Sequence, residues 1–406
     1  MNAQIKKLAG ELLPEIISIR RHLHAHPELS FKEFNTSAYI AAKLSEYGIP
    51  AVTGIAGTGI SALIEGKNPS KKVIALRADM DALPIQEKNK VSYCSTNPGI
   101  MHACGHDVHS ACLLGAAFIL NRFKNELEGS VKLIFQPGEE LLPGGASLMI
   151  KAGILENPKP SLIIGQHVQP NMEVGKVGFR SGMYMASTDE IYITVKGKGG
   201  HAAMPHTYIS PLLIASEIIT SLDKEFMTER GDKPYALHHT IPTVLALGKI
   251  IGNGSTNVIP DEVKIEGTFR TMDEKWRKEA QQKMKRIAED VATKRGGSCE
   301  FLIADGYPYL ENDGPTTTQA KQAAISYLGK ESIEDLDIRM TGEDFSFYTH
   351  HIPACFYRLG TGNVSRGITS NVHSNTFDID EQALETGSGL MAAIAMSFLG
   401  TSSKNY

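Results

Sequence analysis

The apolar positions of the first 180 residues follow two different spacings. Helical spacing, with apolar side chains every three or four positions, runs through residues 7–26, 36–48 and 110–127. Other short runs are apolar at almost every position, namely ISALIEG, VIALRA, VKLIFQ and SLIIGQ. Such runs are typical of strands buried on both faces of a parallel sheet. The pattern predicts an α/β fold, with a mixed, mostly parallel sheet and flanking helices.

From about Thr188 the pattern changes. EIYITVKG alternates as a strand does, a helical pattern follows, and TVLALGKIIG and VKIEGTFRT are strand-like. A long charged helix and the strand CEFLIADGYP complete the order β-α-β-β-α-β, which is a ferredoxin-like α+β unit. Later helix and strand patterns can complete the first sheet. We therefore predict a metal-binding catalytic domain over residues 1–186 and 309–406, with residues 187–308 inserted as a lid and dimerisation domain.

Composition narrows the class of protein. The chain has 406 residues, enough for two domains, and a net charge of −4, which argues against nucleic acid as a partner. No apolar run approaches the ~20 residues of a membrane span, so we expect no membrane association. Residues 1–20 mix charges with apolar positions, unlike a secretory signal. The five cysteines are odd in number and scattered, which argues against a disulfide framework and favours a reducing, cytoplasmic location.

Candidate ligands follow the predicted strands. In an open α/β sheet, ligands bind in the crevice outside the carboxyl ends of the strands, so groups distant in sequence can converge there. The polar groups that follow the four strand patterns are Asp79 and Asp81, Glu139 and Glu140, His167, and His373. The adjacent glutamates point in different directions, so one can bind a metal while its neighbour acts as a base toward water.

The segment HACGHDVH, residues 102–109, adds a cysteine and three histidines. Cys104 and His106 are alternate residues, and in an extended backbone both can face one ion. Thiolate, imidazole and carboxylate together suit an ion of the zinc type. Asp107 is expected to start the following helix or to support a ligand. The other two histidines, His102 and His109, are expected to be bystanders or supports of the ligands.

Each of these residues also has a plain structural interpretation. Cys104 alone could be structural or a catalytic nucleophile, and the glutamate pair could be solvated loop charges. Alternate helix positions do not share a face, so the histidines of HLHAH are expected to be polar groups at a helix end. Inert buried thiols are expected at three other cysteines. The residues concerned are His22, His24 and His26, and Cys94, Cys112 and Cys355.

Seven motifs together resemble the M20 metallopeptidases: RRHLHAHPELSF, ALRADMDALPIQE, MHACGHDVHSACLLGAA, FQPGEE, GKGGHAAMPH, NVIPDEV and TGEDFSFY. They are most similar to the amidohydrolases (aminoacylases) that cleave N-acyl amino acids, including hippurate hydrolases and auxin–amino acid conjugate hydrolases. The motifs cover nearly the whole chain in the family's order. The resemblance implies a catalytic domain with two divalent metal ions and an inserted lid that often dimerises.

The resemblance also implies individual roles. The positions that match metal ligands are Cys104, His106, Glu140, His167 and His373. Cys104 would bridge the two ions, and Glu139 matches the general base. In the wider family a His and an Asp stand where this chain has Asp79 and Cys104. Asp79 therefore need not bind metal, and Asp81 would orient a ligand. A bridging thiolate leaves zinc, manganese, cobalt and nickel open, and its softness favours zinc or cobalt over manganese.

Three further residues match positions of the lid. His201 matches a histidine that helps stabilise the oxyanion, sometimes from the partner subunit, although a surface turn is the alternative. Asn257 and Arg270 match segments that recognise the substrate carboxylate, a role that suits a bidentate guanidinium. For Arg270, a structural ion pair is the alternative.

These observations lead to one main functional hypothesis. We expect a homodimeric, metal-dependent amidohydrolase that cleaves small N-acyl (acetyl, benzoyl or related) L-amino acids to a carboxylic acid and a free amino acid. A dipeptidase and an N-acetyldiaminopimelate deacetylase of the same fold are the enzymatic alternatives. A non-catalytic metal-binding dimer and a thiol enzyme with Cys104 as nucleophile are alternatives of other classes.

Overall fold

The computed structural model describes residues 1–227 and 233–400. The domain ranges predicted above also include 228–232 and 401–406, which lie outside the described residues. The described chain divides into two compact units. The first unit comprises Met1–Gly182, Glu311–Asp337 and the described residues from Asp344 onward. The second unit comprises Met183–Leu310 and Ile338–Glu343.

Within the described residues the chain forms nine α-helices and seventeen strands. The helices are α1 Asn2–Ala25, α2 Phe34–Glu46, α3 His106–Arg122, α4 Gly145–Lys151, α5 Pro211–Met227, α6 Glu274–Lys294, α7 Gly314–Leu328, α8 Ser346–Thr349 and α9 Ala383–Leu399. The strands are β1 Ala51–Ile55, β2 Gly59–Glu65, β3 Val73–Asp79, β4 Ser130–Gln136, β5 Ile163–Glu173, β6 Val177–Phe179, β7 Gly182–Met185, β8 Asp189–Lys196, β9 Gly200–His201, β10 Ala236–His238, β11 Ile241–Ile251, β12 Val258–Ile259, β13 Glu262–Thr271, β14 Ser298–Asp305, β15 Leu310–Asn312, β16 Ile333–Asp335 and β17 Ala354–Gly362.

The first unit is built on an eight-stranded mixed sheet with the order β1-β2-β4-β3-β5-β17-β6-β16. The four central strands β4, β3, β5 and β17 are mutually parallel, whereas β1 and β2 are antiparallel additions at one edge. The late strand β17 pairs with β5, so the C-terminal part of the chain completes the first sheet as predicted. The predicted α/β class is confirmed.

Helices bury the central strands of this sheet. Every residue of β3, β4 and β17 is buried, which explains why their sequences are apolar without alternation. Helices α3 and α9 contact these strands and each other, and α1 packs against both helices. The apolar side chains of these elements form one continuous core. That core holds the carboxyl ends of the parallel strands in fixed positions.

The second unit has its own core beneath an antiparallel sheet of order β10-β11-β13-β8-β14. Its main elements follow the predicted β-α-β-β-α-β order, and the arrangement of the four main strands is that of a ferredoxin-like unit. Helices α5 and α6 pack on each other and on the sheet. Helix α6 begins after Asp273, whose carboxylate accepts a hydrogen bond from the Trp276 amide at 2.6 Å. The described helices include none with the length and apolar character needed to cross a membrane.

Candidate metal centre

The carboxyl ends of the parallel strands bring the predicted acidic and histidine residues together. Asp79 is the last residue of β3, and Glu139 and Glu140 follow β4. His167 was expected after its strand, but it lies inside β5, which continues to Glu173. The strand is longer than its apolar run because its partner β17 continues to Gly362 and keeps pairing with it. The backbone of His167, which carries the imidazole, is therefore held by the hydrogen bonds of the sheet and does not lie in a loop.

The cysteine and histidine of HACGHDVH meet through a sharp turn. Gly105 has a left-handed conformation with φ of +86°, and α3 begins at the next residue. The expectation of an extended backbone between Cys104 and His106 is therefore wrong. A Cβ atom at position 105 would lie 2.6 Å from Cγ2 of Val168, so both the conformation and the space require glycine.

The five side chains predicted as ligands lie in two overlapping sets. Within each set the ligand atoms all lie within 4.8 Å of one another, and both sets contain Cys104. The thiol Sγ is 3.5 Å from His167 Nε2 and 3.3 Å from His373 Nε2. Oε1 of Glu140 is 3.3 Å from His373 Nε2. The sets are Cys104, His106 and His167, and Cys104, Glu140 and His373. Because the Cys104 thiol belongs to both sets, it has the position expected of a bridging ligand.

One buried ring nitrogen in this cluster has no hydrogen-bond partner among the described residues. His106 is completely buried, and its Nδ1 lies 3.1 Å from Oδ1 of Asp81. In the tautomer where Nδ1 donates that hydrogen bond, Nε2 has a free lone pair. Among the described residues Nε2 finds no hydrogen-bond partner. A buried imidazole oriented by a carboxylate, with its other nitrogen free, is the usual state of a metal-binding histidine. The residues present therefore fit a divalent cation.

The electrostatics of the cluster also call for a cation. Burial alone would lower the pKa of His106, but the carboxylates of Asp79, Asp81 and Glu140 raise it to about 10. Burial and the carboxylates of Glu140, Glu139 and Asp79 hold the pKa of the Cys104 thiol well above its ordinary value. Without a cation this thiol is a poor nucleophile, which counts against the thiol-enzyme alternative. A bound metal would instead stabilise the thiolate.

Glu139 sits beside the cluster and is held by the backbone around it. Its Oε2 is 3.9 Å from His106 Nε2, and its Oε1 accepts a hydrogen bond from the Asp344 amide at 3.4 Å. The preceding Gly138 donates its amide to Glu33 at 2.8 Å. The Glu140 amide donates to Oδ2 of Asp81 at 2.9 Å. Carboxylates from two other parts of the first unit thus fix the loop that carries both glutamates.

Asp79 has both carboxylate oxygens engaged within the protein. Oδ1 is 2.5 Å from Nδ1 of His109, and Oδ2 accepts a hydrogen bond from Arg77 at 2.5 Å. Although burial opposes ionisation, the charges of His106, Arg77 and His109 hold the pKa of Asp79 well below its ordinary value. The Val168 amide donates to Nε2 of His109 at 2.9 Å. His109 therefore supports this region rather than standing by.

The neighbouring Asp107 does not cap α3. Its carboxylate is buried and accepts hydrogen bonds from Nε of Arg20 at 2.8 Å and from Nδ1 of His24 at 2.7 Å. Asp107 does lie in the first turn of α3, as expected at a helix start, but the N-cap position is occupied by Gly105 and the Asp107 carboxylate pairs with the arginine instead. His24 is also fully buried and contacts Glu87, unlike an ordinary polar group at a helix end. Burial lowers the pKa of His102 to about 4.

The other cysteines are partly as expected. Cys112 and Cys355 are buried, and burial raises the pKa of each thiol to about 12. Cys94 is half-buried rather than buried, because its loop leaves part of the side chain open to solvent.

The predicted lid residues all belong to the second unit. The ladder between β9 and β12 pairs His201 with Val258, the neighbour of Asn257, and the Ala202 amide donates to the Asn257 carbonyl at 3.0 Å. The Ala203 amide donates to Nδ1 of His201 at 3.1 Å. In the neutral ring the proton is therefore on Nε2, and the exposed side chain can donate it.

Arg270 does not take part in a structural ion pair. It lies on β13, and its Nε donates to Thr268 Oγ1 at 3.0 Å. No described carboxylate is close enough to form an ion pair with it, which counts against the structural alternative. Burial lowers the pKa of its guanidinium, with Asp189 and Glu190 opposing that effect.

Sequence reasoning missed two polar residues that support the cluster, Arg77 and Asp344, and left open whether His109 does so. All three make buried hydrogen bonds around it. Two signals were present: an arginine inside the apolar run VIALRA, and a histidine three residues after His106, on the same helix face. Asp344 lies in the motif TGEDFSFY, but its contact with a residue 267 positions away has no sequence signal.

A largely buried cluster of thiol, imidazole and carboxylate groups beside a further carboxylate fits a metal-dependent hydrolase. The chain belongs to peptidase family M20/M25/M40, whose family model matches residues 75–397. This confirms the resemblance found in the sequence motifs.

Individual relatives with named activities are similar to this chain over most of its length. The N-acyl-L-amino acid amidohydrolase of Geobacillus stearothermophilus is 40% identical over 76% of this chain and 81% of its own length. The N-acetyl-L-cysteine deacetylase of Bacillus subtilis is 40% identical over 91% of this chain and 85% of its own. Among solved structures, a dinuclear metal-binding peptidase of the M20 family from Bacillus subtilis superposes with a TM-score of 0.81 at 35% identity, covering 96% of this chain and 99% of that one.

Proposed function

We propose that this protein is an amidohydrolase that removes the acyl group from N-acyl L-amino acids, releasing a carboxylic acid and a free amino acid. The observation that carries the proposal is the pair of ligand sets that share Cys104, with the Glu139 carboxylate beside them. The activities named for the Geobacillus and Bacillus relatives support this substrate class.

The proposed metal site holds two divalent cations. Cys104 would bridge them, and the other ligands would be His106, Glu140, His167 and His373. When bound, the ions supply Lewis acidity toward the amide carbonyl and toward water. A shared thiolate with three imidazoles is a borderline-soft donor set, so we propose zinc or cobalt ahead of manganese.

Glu139 is the proposed general base. It lies at the edge of the cluster and has one oxygen 3.9 Å from His106 Nε2. From this position it would accept a proton from the attacking water and return it to the leaving amine. Asp81 would keep the proton of His106 on Nδ1, so that Nε2 faces the cluster.

The second unit would recognise the substrate. His201 carries its neutral-state proton on Nε2, which suits a donor to the oxyanion. Arg270 is half-buried without an ion pair, which suits a receptor for the carboxylate of the amino acid. The amide of Asn257 would add a hydrogen bond to that carboxylate.

We further propose that the protein is a cytoplasmic homodimer, with a second copy of the chain meeting the outer side of β11. Described pairing on that side of β11 is limited to Ile241–Thr243. The region also exposes large apolar side chains on α5 and β11, which are Leu212, Leu213, Ile250 and Ile251. An open edge beside an apolar surface favours pairing with another strand. The cytoplasmic location is supported by five cysteines that are all free thiols.

A substrate panel tests the proposed function. Apoprotein would be reconstituted separately with zinc, manganese, cobalt and nickel, then assayed on N-acetyl amino acids, hippurate, N-acetyldiaminopimelate and dipeptides. We expect the highest kcat/KM on N-acyl amino acids with zinc or cobalt. Preferential turnover of dipeptides or of N-acetyldiaminopimelate would replace the proposed substrate class, and no turnover with any metal would favour a binding protein. Rapid alkylation of Cys104 by iodoacetamide in the metal-loaded protein would refute its ligand role.

A further inference from the structure

One buried arginine, Arg77, belongs to hydrogen-bond chains that lead to the proposed ligand His167 and to the proposed base Glu139. Arg77 lies on the fully buried strand β3 and is 1% exposed. Its three guanidinium nitrogens donate to three different side chains. Nη1 donates to Asp79 at 2.5 Å, Nη2 to Asp344 at 2.8 Å, and Nε to Gln136 at 2.9 Å. These hydrogen bonds go to none of the proposed metal ligands, but two of the partners, Asp79 and Asp344, lead toward the centre.

One chain of hydrogen bonds runs from Arg77 toward a ligand. Asp79 accepts from Arg77 and from Nδ1 of His109, which leaves His109 Nε2 as an acceptor. That nitrogen accepts the Val168 amide at 2.9 Å. The Val168 carbonyl in turn lies 2.8 Å from Nδ1 of His167, so the ligand's Nε2 is left free to face Cys104.

A second chain runs from Arg77 toward the proposed base. Asp344 accepts from Arg77 and also from the side chain of Gln136 and the amide of Ala146. These bonds hold the backbone at position 344, whose amide donates to Oε1 of Glu139. The rotation of the Glu139 carboxylate therefore depends on where Asp344 is held.

We propose that Arg77 is a positioning residue that sets the ligand His167 and the base Glu139 relative to each other. A guanidinium is suited to this role because its donors lie in one rigid plane, so fixing one carboxylate fixes the direction of the other. Lysine, with a single flexible ammonium group, would keep the charge but lose this geometry. The kinetic part of this inference rests on the proposed function, whereas the metal-binding part does not.

Three variants separate the two chains of hydrogen bonds. Arg77→Lys weakens both. His109→Gln keeps an acceptor for the Val168 amide but loses the bond to Asp79, so it affects the ligand side. Asp344→Asn replaces one carboxylate oxygen by a donor that faces the Ala146 amide, so it affects the base side. The matched control is Arg277→Lys, since Arg277 is also buried and ion-paired, with Asp189 of the second unit.

The readouts are binding of Co²⁺ alone to the apoprotein, followed by the thiolate-to-cobalt absorption of Cys104, and kcat on an N-acyl amino acid at saturating Co²⁺. We expect Arg77→Lys to lose about 10- to 100-fold in both Co²⁺ affinity and kcat, as is usual for residues that orient metal ligands. His109→Gln should lose mainly affinity and Asp344→Asn mainly kcat. The control should lower Tm but bind Co²⁺ as the wild type does.

Wild-type affinity and kcat in folded Arg77→Lys would overturn the inference, as would an equal loss of affinity in Arg277→Lys. If Arg77→Lys does not fold, the other two variants decide: a split between affinity and kcat supports the inference, and identical behaviour refutes it. If no substrate is turned over, the proposed function fails while the Co²⁺ titration still tests the ligand side.

Discussion

The polar side chains around the candidate metal centre differ in burial from the proposed recognition residues of the second unit. In the first unit Arg77, Asp79 and His106 are almost completely buried and have charged or polar partners. In the second unit His201 and Asn257 are exposed, and the guanidinium of Arg270 donates to the hydroxyl of Thr268. Burying a charge is costly unless it is paired, which explains why the buried charged groups of this centre have charged or polar partners. The comparison teaches that one unit holds a pre-arranged site, whereas the other keeps its polar groups available.

The two arginines make the same comparison at a single residue type. Arg77 donates to three side chains and has a fixed orientation. Arg270 is half-buried, and burial lowers its pKa because no carboxylate compensates fully for lost water. An arginine that is already paired can position its neighbours, whereas an unpaired one gains most from an incoming anion.

The largest effect is expected at the proposed base of the first unit. Glu139→Gln keeps the size of the side chain but removes its ability to accept a proton, so kcat on an N-acyl amino acid should fall roughly 10³-fold. Co²⁺ affinity, measured by the thiolate absorption, should stay within a few-fold of wild type. Turnover at the wild-type rate would show that another group is the base. The first unit would then not hold the pre-arranged site that the comparison assigns to it.

A smaller effect is expected at the unpaired arginine of the second unit. Arg270→Lys should raise KM for an N-acyl amino acid roughly 10-fold and change kcat less, because a lysine cannot bind a carboxylate bidentately. The control is the same substrate with its carboxylate converted to an amide, on which wild type and variant should perform alike. An equal loss on both substrates would mean that Arg270 has a structural role.

The smallest effect concerns the stability of the first unit. Burial alone would raise the pKa of Glu87, but hydrogen bonds from His24, the Ser95 amide and Asn89 lower it from 4.5 to about 2. Because the folded pKa is the lower one, ionised Glu87 stabilises the protein above about pH 4.5, and this stabilisation is lost as the pH falls toward 2. Glu87→Gln should lower Tm by about 2–4 °C at pH 7.

The difference in Tm between Glu87→Gln and wild type should shrink between pH 4.5 and pH 3 in scanning calorimetry. Glu300→Gln, at an exposed position on β14 of the second unit, is the control and should leave Tm unchanged at both pH values. A difference in Tm that does not depend on pH would mean that Glu87 contributes packing rather than charge.

Much of the fold followed from the chain itself. Runs that are apolar at almost every position predicted β3 and β4, because strands buried on both faces have no polar face along which polar residues would alternate. The second unit was predicted from its β-α-β-β-α-β order, because the spacing of apolar residues distinguishes its strands from its helices. The end of β5 and the turn at Gly105 were not predictable from periodicity. They depend on pairing with β17 and on the space left by Val168, both distant in sequence.

The sequence by itself determined the types of chemistry available: a thiol, several imidazoles and a pair of adjacent carboxylates that follows an apolar strand. The family motifs in which they stand indicated their proposed roles toward metal and substrate. Only the tertiary structure decided which groups surround them. Asp107 pairs with Arg20 instead of capping a helix, and Arg77 reaches Asp344 across 267 positions. The physical reason is that a buried charge takes the best partner in space, and distance in space has no periodicity along the chain.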